Sequence, residues 1–328
     1  MSIDQSPTVP IRADVIGLAH KRRNWGVLSR QIALGYGLVF PSLLILTLFT
    51  YGPAILVVLI SFSHWVPGGP LGVDWVGTLH YQQLLNPISG FLESLSVTAY
   101  YIGVMVPATV IIGLALAWLL RGSQKHKTPG LTFFRAAVFL PYVTPAVATS
   151  IVWVFIFNPQ YGLANAVLTF LHLPQLQWLT DPGWAMPAVM INNLWHNVGF
   201  SVVLFLAGIS NVPYETIEAA QLDGASSTKV FRHVVLPFIS PVMLFVVIIT
   251  TIGAMQTFGS IYTMTGGQTG GGGGPLASTT TTAIYLYKSA FVFFHYSYAA
   301  AVSVVLFILI LGLTLIQRAV GEKFTFYQ

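Results

Sequence analysis

The chain has 328 residues, of which 55% are hydrophobic and only 7% charged, and it contains no cysteine. A soluble domain carries about a quarter charged residues, so this composition excludes an ordinary soluble domain, and the absence of cysteine excludes disulfides and thiolate metal sites. The apolar residues form runs long enough to cross a bilayer, which needs roughly 20 residues per helix. The sequence therefore predicts an all-α polytopic membrane protein rather than a β-barrel, whose strands would alternate polar and apolar residues.

Six apolar segments predict six transmembrane helices. Their bounds are 32–62, 92–120, 133–157, 185–209, 236–258 and 298–317. The first is overlong and is interrupted by Pro41 and by Gly52-Pro53. A cleaved signal peptide is not expected, because its apolar region would span only about 7–15 residues. The predicted organisation is an N-terminal tail at 1–31, a six-helix domain at 32–320 that includes a long interior loop at 211–235, and a C-terminal tail at 321–328.

The basic residues predict the orientation of these helices. All but one lie on the same predicted side of the membrane: Arg12, Lys21, Arg22, Arg23, Arg30, Arg121, Lys125, Lys127, Arg135, Lys229, Arg232, Arg318 and Lys323. Because cytoplasmic loops carry an excess of Lys and Arg, both termini are predicted to be cytoplasmic. The exception is Lys288, on the exterior side, and Glu93 is predicted at the exterior end of the second helix. This distribution explains the basic pI without a nucleic-acid partner.

The longest predicted interior loop is "PYETIEAAQLDGASSTKVFRHVVLP", residues 213–237, which gathers charge in a chain that has little. Asn211 is predicted to cap a helix whose first turn contains Pro213, with Glu215 and Glu218 near the positive end of its dipole. Gly224 is predicted to end the helix in a left-handed conformation. A second helical piece is predicted at 227–235.

One side of this predicted helix is apolar. Tyr214, Ile217 and Leu222 are predicted to share that side, with Ala219 and Ala220 allowing close approach. Two interpretations remain open. The helix either rests in the lipid headgroups or fits a groove on a cytoplasmic partner.

The spaced set Glu218-Ala219-Ala220, Asp223-Gly224-Ala225, Phe231 and Leu236-Pro237 resembles the EAA loop of ABC importer membrane subunits. In that family the loop forms a coupling helix that docks into a cleft on the ATP-binding subunit. The resemblance implies a type I ABC importer permease fold. It also implies that ATPase coupling uses Glu215, Glu218, Ala219, Ala220, Asp223, Gly224, Ala225 and Phe231.

A second block is similar to the sugar-importer branch of this family. The matching residues are Thr265-Gly266-Gly267, Pro275, Tyr285, Tyr287, Ala290-Phe291 and 298–301, together with 139–165, Trp195 and Gly199-Phe200. The resemblance covers roughly 32–320 and implies the first of two permease subunits in a maltose- or glycerol-phosphate-type importer. The glycine-rich segment is expanded to "GGQTGGGGGP", and Ser297 stands where the family often has Gly.

The resemblance also implies the partners of this chain. They are a second permease subunit in a heterodimer, two copies of a cytoplasmic ATP-binding subunit, an extracytoplasmic solute-binding protein and a sugar. The complex would lie in the inner or plasma membrane of a prokaryote. ATP and Mg would be bound on the partner subunits, and this chain would bind no cofactor itself.

Polar residues inside the fourth predicted helix are candidates for the substrate path. Asn193 and Asn197 share a face at i,i+4, His196 lies beside them, and Trp195 offers an aromatic surface for a sugar. Gln256 and Tyr262 are similar candidates, predicted on the fifth helix. Because polar groups in a membrane face the bundle interior or an aqueous path, the alternative is that they only bond to neighbouring helices.

The remaining patterns weigh against other functions. The glycine run is not a phosphate loop, because no Lys-Ser or Lys-Thr follows it, so ATP hydrolysis is expected from another chain. An ion-coupled secondary transporter of a polar solute is the alternative function. It would usually carry ionisable residues near the bilayer midplane, and no Asp, Glu, Lys or Arg lies mid-span here. No arrangement for catalysis or metal binding is recognised. The same absence of a basic residue in the path favours a neutral sugar over a phosphate ester.

Overall fold

A computed structural model describes residues 25–66, 74–121, 130–266, 272–323 and 325. Its helices are α1 (Trp25–Leu46), α2 (Gly52–Ser61), α3 (Leu79–Leu84), α4 (Phe91–Leu120), α5 (Leu131–Val143), α6 (Ala146–Ile156), α7 (Leu163–Phe170), α8 (Pro182–Ser210), α9 (Tyr214–Leu222), α10 (Ser227–Val230), α11 (Leu236–Phe238), α12 (Ser240–Met255), α13 (Gly259–Thr265), α14 (Thr282–Tyr287) and α15 (Tyr296–Gly321). Strands β1 (Ser63–His64) and β2 (Asp74–Trp75) form a short antiparallel pair. The described residues leave out most of the predicted N-terminal tail, Lys125, Lys127 and residues 267–271 of the glycine-rich segment.

The described residues up to Ile55 form one compact unit, and those from Leu56 onward form another. In the first unit α1 contains Pro41 and leads into a π-helical turn, Thr47–Tyr51. Pro53 follows within the first turn of α2, and because proline has no N–H to donate, the helix widens immediately before it. The apolar stretch Leu34–Ser61 is long enough to cross a membrane, which agrees with the predicted first span.

Three further spans are long uninterrupted helices close to their predicted bounds: α4, α8 and α15. Asp181 caps α8 by accepting a hydrogen bond from the Gly183 N–H at 2.7 Å, and Pro182 occupies the first turn, where a missing N–H costs nothing. At the C-terminal end of α4, the Arg135 Nη2 donates to the Leu120 carbonyl at 2.8 Å. These groups satisfy backbone positions that a helix end leaves unpaired.

The core of the second unit lies where α4, α8 and α12 meet. Phe205, Val202 and Val246 are buried there, together with Val235 and Ile239 from the segment before α12. A Cβ on Gly113 would lie 2.2 Å from the Ser201 Oγ. Small residues therefore let α4 and α8 approach closely, as membrane helices do where lipid provides no hydrophobic force between them.

The third predicted span is not one continuous helix. α5 and α6 meet at an angle of 100° across Thr144 and Pro145. Thr144 has extended backbone angles (φ −77°, ψ 147°), the conformation favoured before a proline. In a continuous helix the Pro141 carbonyl would accept from the N–H of residue 145, but proline has none. It accepts the Thr144 N–H at 3.2 Å instead. The break is tolerated because its backbone groups find partners inside the protein.

The fifth predicted span is also bent, by 69° at Ile239 between α11 and α12. Its straight part begins at Ser240, with Pro241 in the first turn, and ends at Met255. The prediction of one span at 236–258 is therefore corrected at both ends. Phe258 leaves helical geometry (φ −130°, ψ −60°), so Tyr262 lies on the separate helix α13 and not on the fifth span.

A predicted coupling helix and a polar cavity

The predicted helix in the 213–237 loop is α9. Its start differs from the prediction: Asn211 ends α8, because its N–H bonds back to the Ala207 and Gly208 carbonyls. Pro213, with φ −57° and ψ 130°, occupies the capping position before α9 and is not in its first turn. The second predicted piece is present as α10, a π-helical turn and α11, which run together from Ser227 to Phe238.

The end of α9 explains the spacing of the motif. Gly224 has φ +80°, a conformation that L-residues rarely adopt. The Gly224 N–H bonds to the Gln221 carbonyl and the Ala225 N–H to the Ala220 carbonyl, each at 3.0 Å. These two bonds define a Schellman motif, in which a hydrophobic contact joins the residue after the glycine to the last turn. Ala220 and Ala225 both pack on the same core cluster.

The inner face of the loop packs on the core of the second unit, the unit to which the loop belongs. Ile217 and Phe231 pack on the cluster formed by α4, α8 and α12. The Phe231 ring lies 4.7 Å from that of Trp118, at the end of α4. The Arg121 guanidinium lies 3.1 Å from the centre of the Trp118 ring, a cation–π contact. Burial lowers the pKa of Arg121, but a guanidinium stays protonated at neutral pH.

The outer face of α9 carries Glu215, Ala219 and Leu222, and the exposed Asp223-Gly224 turn follows it. Glu218 is half-buried at the side. Leu222 is 84% exposed, so the prediction that it shares an apolar side with Tyr214 and Ile217 is wrong. Five residues turn a helix by about 140°, which places Leu222 away from Ile217. An exposed leucine between the Ala-Ala and Asp-Gly pairs is the signal that sequence analysis missed.

A polar cavity of about 380 Å³ lies among α4, α5, α8, α12 and α13. Asn193, His196 and Asn197 from the predicted substrate path line it, all on α8. Tyr101 and Thr257, from α4 and the end of α12, also line it and were not predicted. The volume lies within the roughly 300–1,000 Å³ of small-molecule sites.

Hydrogen bonds hold the polar side chains of this cavity. The Asn193 Nδ2 donates to the Tyr101 Oη at 2.7 Å, and the Asn197 Nδ2 donates to the Asn193 carbonyl at 2.8 Å. The His196 Nε2 lies 3.0 Å from the Thr144 carbonyl at the break between α5 and α6. A carbonyl only accepts, so Nε2 carries a proton in this bond. The bond ties the broken helix to α8.

The other three candidates do not line this cavity. Trp195 is half-exposed and meets the Trp153 ring edge-on at 5.7 Å. Gln256 is exposed at the end of α12. Tyr262 stacks on Phe258 with ring centres 5.3 Å apart. A role for these residues in the substrate path stays a prediction.

Residues 109–325, which include α9 and most of the cavity, match the family described as the binding-protein-dependent transport system inner membrane component. The chain belongs to this family. This match confirms the family that the 213–237 loop resembles. It also confirms the prediction that the chain is a membrane component of a transport system.

Relatives cover most of the chain. It is 32% identical to the trehalose/maltose transport system permease protein MalF of Thermococcus litoralis over 74% of this chain and 80% of that protein. Identity to the sn-glycerol-3-phosphate transport system permease protein UgpA of Pectobacterium atrosepticum is 34%, over 91% and 97%. The lactose transport system permease protein LacF of Rhizobium radiobacter is 32% identical over 78% and 83%.

The fold is shared with a solved structure. A chain of a bacterial ABC transporter involved in the import of the acidic polysaccharide alginate superposes with a TM-score of 0.78, at 21% identity, over 91% of this chain and 98% of that one. This likeness confirms the predicted importer permease fold.

Proposed function

We propose that this chain is one of two permease subunits of an ATP-driven importer and forms half of the path for a di- or oligosaccharide or a related glycoside. Relatives whose names specify trehalose/maltose and lactose support the substrate class. The polar cavity among α4, α5, α8, α12 and α13, here called the central cavity, offers amide, imidazole and hydroxyl groups. No charged side chain is among its described lining residues. Neutral hydroxyl-rich solutes match such groups, since sugar hydroxyls both donate and accept hydrogen bonds.

The partners follow from the same proposal. A second permease subunit would complete a heterodimer, two copies of a cytoplasmic ATP-binding subunit would hold ATP and Mg, and an extracytoplasmic binding protein would deliver the sugar. This chain would bind no cofactor. The distribution of Lys and Arg supports cytoplasmic termini and a cytoplasmic α9 in the inner membrane.

The observation that carries the proposal is the two-sided construction of α9. Its inner face packs on the core through Ile217 and Ala220, with Phe231 of the following π-helical turn packed on the same core. Leu222 on its outer face is almost fully exposed. An apolar side chain left outward on a firmly anchored helix suits a groove on a second protein. Closure of the ATP-binding subunits would pull α9, and the Phe231–Trp118 contact would transmit that movement to α4.

The test is binding-protein-stimulated ATPase activity and sugar uptake by the reconstituted complex. Leu222→Asp should abolish both while the permease pair still folds, because Leu222 contributes little to the core of its own chain. Leu85→Asp is the matched control: Leu85 is 70% exposed and is predicted on the other side of the membrane, so activity should stay near wild type. Glu218→Ala tests the side of α9 in the same assay.

Gly224 provides a second pair of variants. Gly224→Asp places a side chain in the left-handed conformation and adds charge, whereas Gly224→Asn adopts that conformation without the charge. A Cβ at Gly224 meets no atom within 4 Å, so the chain itself has room for either. Normal coupled turnover in Leu222→Asp and Gly224→Asp would refute the coupling role. Uptake that persists without ATP and follows an ion gradient would favour a secondary transporter.

A further inference from the structure

Two charged residues that stand apart in the sequence meet in one cavity. Lys288 is the exception to the one-sided distribution of basic residues, and Glu93 lies at the predicted exterior end of α4. Both line a cavity of about 330 Å³ between the first turns of α4 and the segment 276–293. None of its described lining residues lines the central cavity, so the two cavities are separate.

The two charged side chains of this cavity, Glu93 and Lys288, keep hydrogen-bonding capacity for a ligand. Among the described residues no ion pair joins Glu93 to Lys288, and the Lys288 Nζ makes only a long hydrogen bond of 3.4 Å to the Gly272 carbonyl. The Ser278 Oγ is buried and has no hydrogen-bond partner among the residues that the structure describes. A buried hydroxyl without a partner requires an explanation, and one explanation is a ligand that completes its bonding.

The loop that closes the cavity is strained. Leu276 and Ala277 have φ of +49° and +60°, in the left-handed region that residues with side chains rarely occupy. Such conformations persist only where the surrounding structure imposes them, and they cluster at ligand sites. The strained residues themselves line the cavity.

The polar groups define the chemistry of a ligand. A carboxylate only accepts hydrogen bonds and an ammonium only donates them. The hydroxyls of Ser96 and Thr280, which also line the cavity, already donate to the Glu93 and Gly273 carbonyls at 2.7 and 3.3 Å and so remain acceptors. An anion would be repelled by Glu93 and a cation by Lys288. A compact neutral molecule with neighbouring hydroxyl groups satisfies both charges without adding one.

An aromatic cavity adjoins this polar one. It measures about 800 Å³ and shares Tyr285 and Phe293 with it. Its wall includes Trp65, whose ring meets that of Tyr296 edge-on at 6.0 Å, and its described lining residues include no Asp, Glu, Lys or Arg. Aromatic surfaces beside a polar pocket match a sugar ring, which has an apolar C–H face and a polar rim.

Long-range hydrogen bonds fix the walls of the aromatic cavity. The Tyr285 Oη donates to the Ser89 carbonyl at 2.7 Å, and the Trp65 N–H donates to the Ser297 Oγ at 2.8 Å. The first bond joins α14 to the segment before α4, and the second joins the residue after β1 to the start of α15, so each links parts that lie far apart in the sequence. The cavities are therefore built before any ligand arrives.

We propose that the cavity between Glu93 and Lys288 is an exterior subsite for a neutral sugar, which it holds before the sugar reaches the central cavity. The inference rests on the proposed function, because it assigns a second site to the same substrate class. Glu93 accepts from sugar hydroxyls, Lys288 donates to them, and the adjoining aromatic cavity takes further sugar rings.

The absence of cysteine in this chain permits a direct test by thiol labelling. Ser96→Cys is introduced into the full complex in proteoliposomes and labelled with a membrane-impermeant maleimide, with maltose, trehalose or lactose as separate probes. At a concentration about ten times its Kd, a bound sugar should slow labelling about tenfold. Thr180→Cys is the matched control, since Thr180 is exposed, lines neither cavity and is predicted on the same side.

Glu93→Gln and Lys288→Met, each added to Ser96→Cys, should abolish protection by the sugar. If none of the three sugars protects Ser96→Cys, or if protection survives in both variants, the proposal is overturned. A structural ion pair between the two charges is the alternative. It would be assigned if uptake is lost in each single variant and regained in the exchanged pair Glu93→Lys with Lys288→Glu, while no sugar protects Ser96→Cys.

Lipid headgroups provide the remaining outcome. Labelling that changes between phosphatidylethanolamine and phosphatidylglycerol vesicles but not with sugar would assign the cavity to a headgroup and overturn the proposal. Binding-protein-stimulated ATPase activity of the otherwise unsubstituted complex is measured in parallel. Stimulated ATPase activity without protection of Ser96→Cys by sugar refutes the subsite alone. Absent stimulation refutes the proposed function. Protection needs no ATP, so in that case it still reports on the subsite.

Discussion

Gly199 on α8 lies so close to α5 that its replacement by alanine should displace α5, the helix that contributes Tyr142 to the polar cavity. A Cβ at this glycine would lie 2.4 Å from the Val138 carbonyl oxygen and 3.0 Å from the Phe139 Cα, both on the backbone of α5. A backbone cannot rotate away as a flexible side chain can. In Gly199→Ala, α5 must therefore retreat by about 0.6 Å to bring even the closest of these contacts to 3.0 Å.

The expected cost follows from two opposing effects. Forcing a methyl group into a packed contact costs about 1–3 kcal/mol, whereas replacing glycine by alanine within a helix stabilises it by about 1 kcal/mol. Gly103→Ala on α4 separates the two, because a Cβ there meets no atom within 4 Å. Gly199→Ala should thus be less stable than Gly103→Ala by about 1–3 kcal/mol.

The measurement is the thermal stability of the purified permease pair, read as the temperature at which half remains monodisperse, together with sugar uptake. Gly199→Ala should fall below Gly103→Ala in both readouts, since the displaced α5 carries the Thr144 carbonyl that His196 contacts. Equal stability and uptake in the two variants would mean that α5 and α8 do not touch this closely in the working protein.

The polar contacts give two further predictions. In a double-mutant cycle, Asn193→Leu and Tyr101→Phe should couple by about 0.6 kcal/mol and by no more than about 1.7 kcal/mol, the average and the maximum found for hydrogen bonds between membrane helices. Additive effects on unfolding would show that the 2.7 Å bond contributes nothing. Asn165→Leu should destabilise the chain by about 1–3 kcal/mol, because its Oδ1 accepts the buried Trp178 Nε1–H at 2.9 Å. Limited proteolysis of the 158–181 segment should accelerate in this variant but not in a Thr180→Val control, and unchanged cleavage would contradict the bond's importance.

The straight helices were predictable because length alone decides them. An apolar run that spans a bilayer must form a helix to satisfy its backbone, and the bounds of α4 and α8 follow within a few residues. The breaks at Pro145 and Ile239 were not predicted. Apolar residues continue on both sides of each break, so hydropathy does not reveal it, and a proline by itself does not predict a bend of 100°.

The cavity was only half predictable for a similar reason. Asn193, His196 and Asn197 share one helix, so their spacing places them on one face. Tyr101 and Thr257 reach the same cavity from other helices, and a single sequence does not show which helices are neighbours. The pairing of Glu93 with Lys288 in one cavity was hidden in the same way, although each residue was conspicuous by its charge.

The motif in the 213–237 loop combines two requirements that the sequence shows only as letters. Gly224 supplies the left-handed residue of a Schellman motif, and Ala220 and Ala225 make the small apolar contact that such a motif brings together. Their lack of bulk lets the end of α9 lie against the core, which turns Leu222 outward. A larger side chain at Ala220 would lift α9 from the cluster that holds Phe231 against Trp118. The residues that set the fold of the loop therefore also set the surface it offers to a partner: the half-buried Ala220 and Ala225 hold α9 against the core, and Ala219 and Leu222 are left exposed.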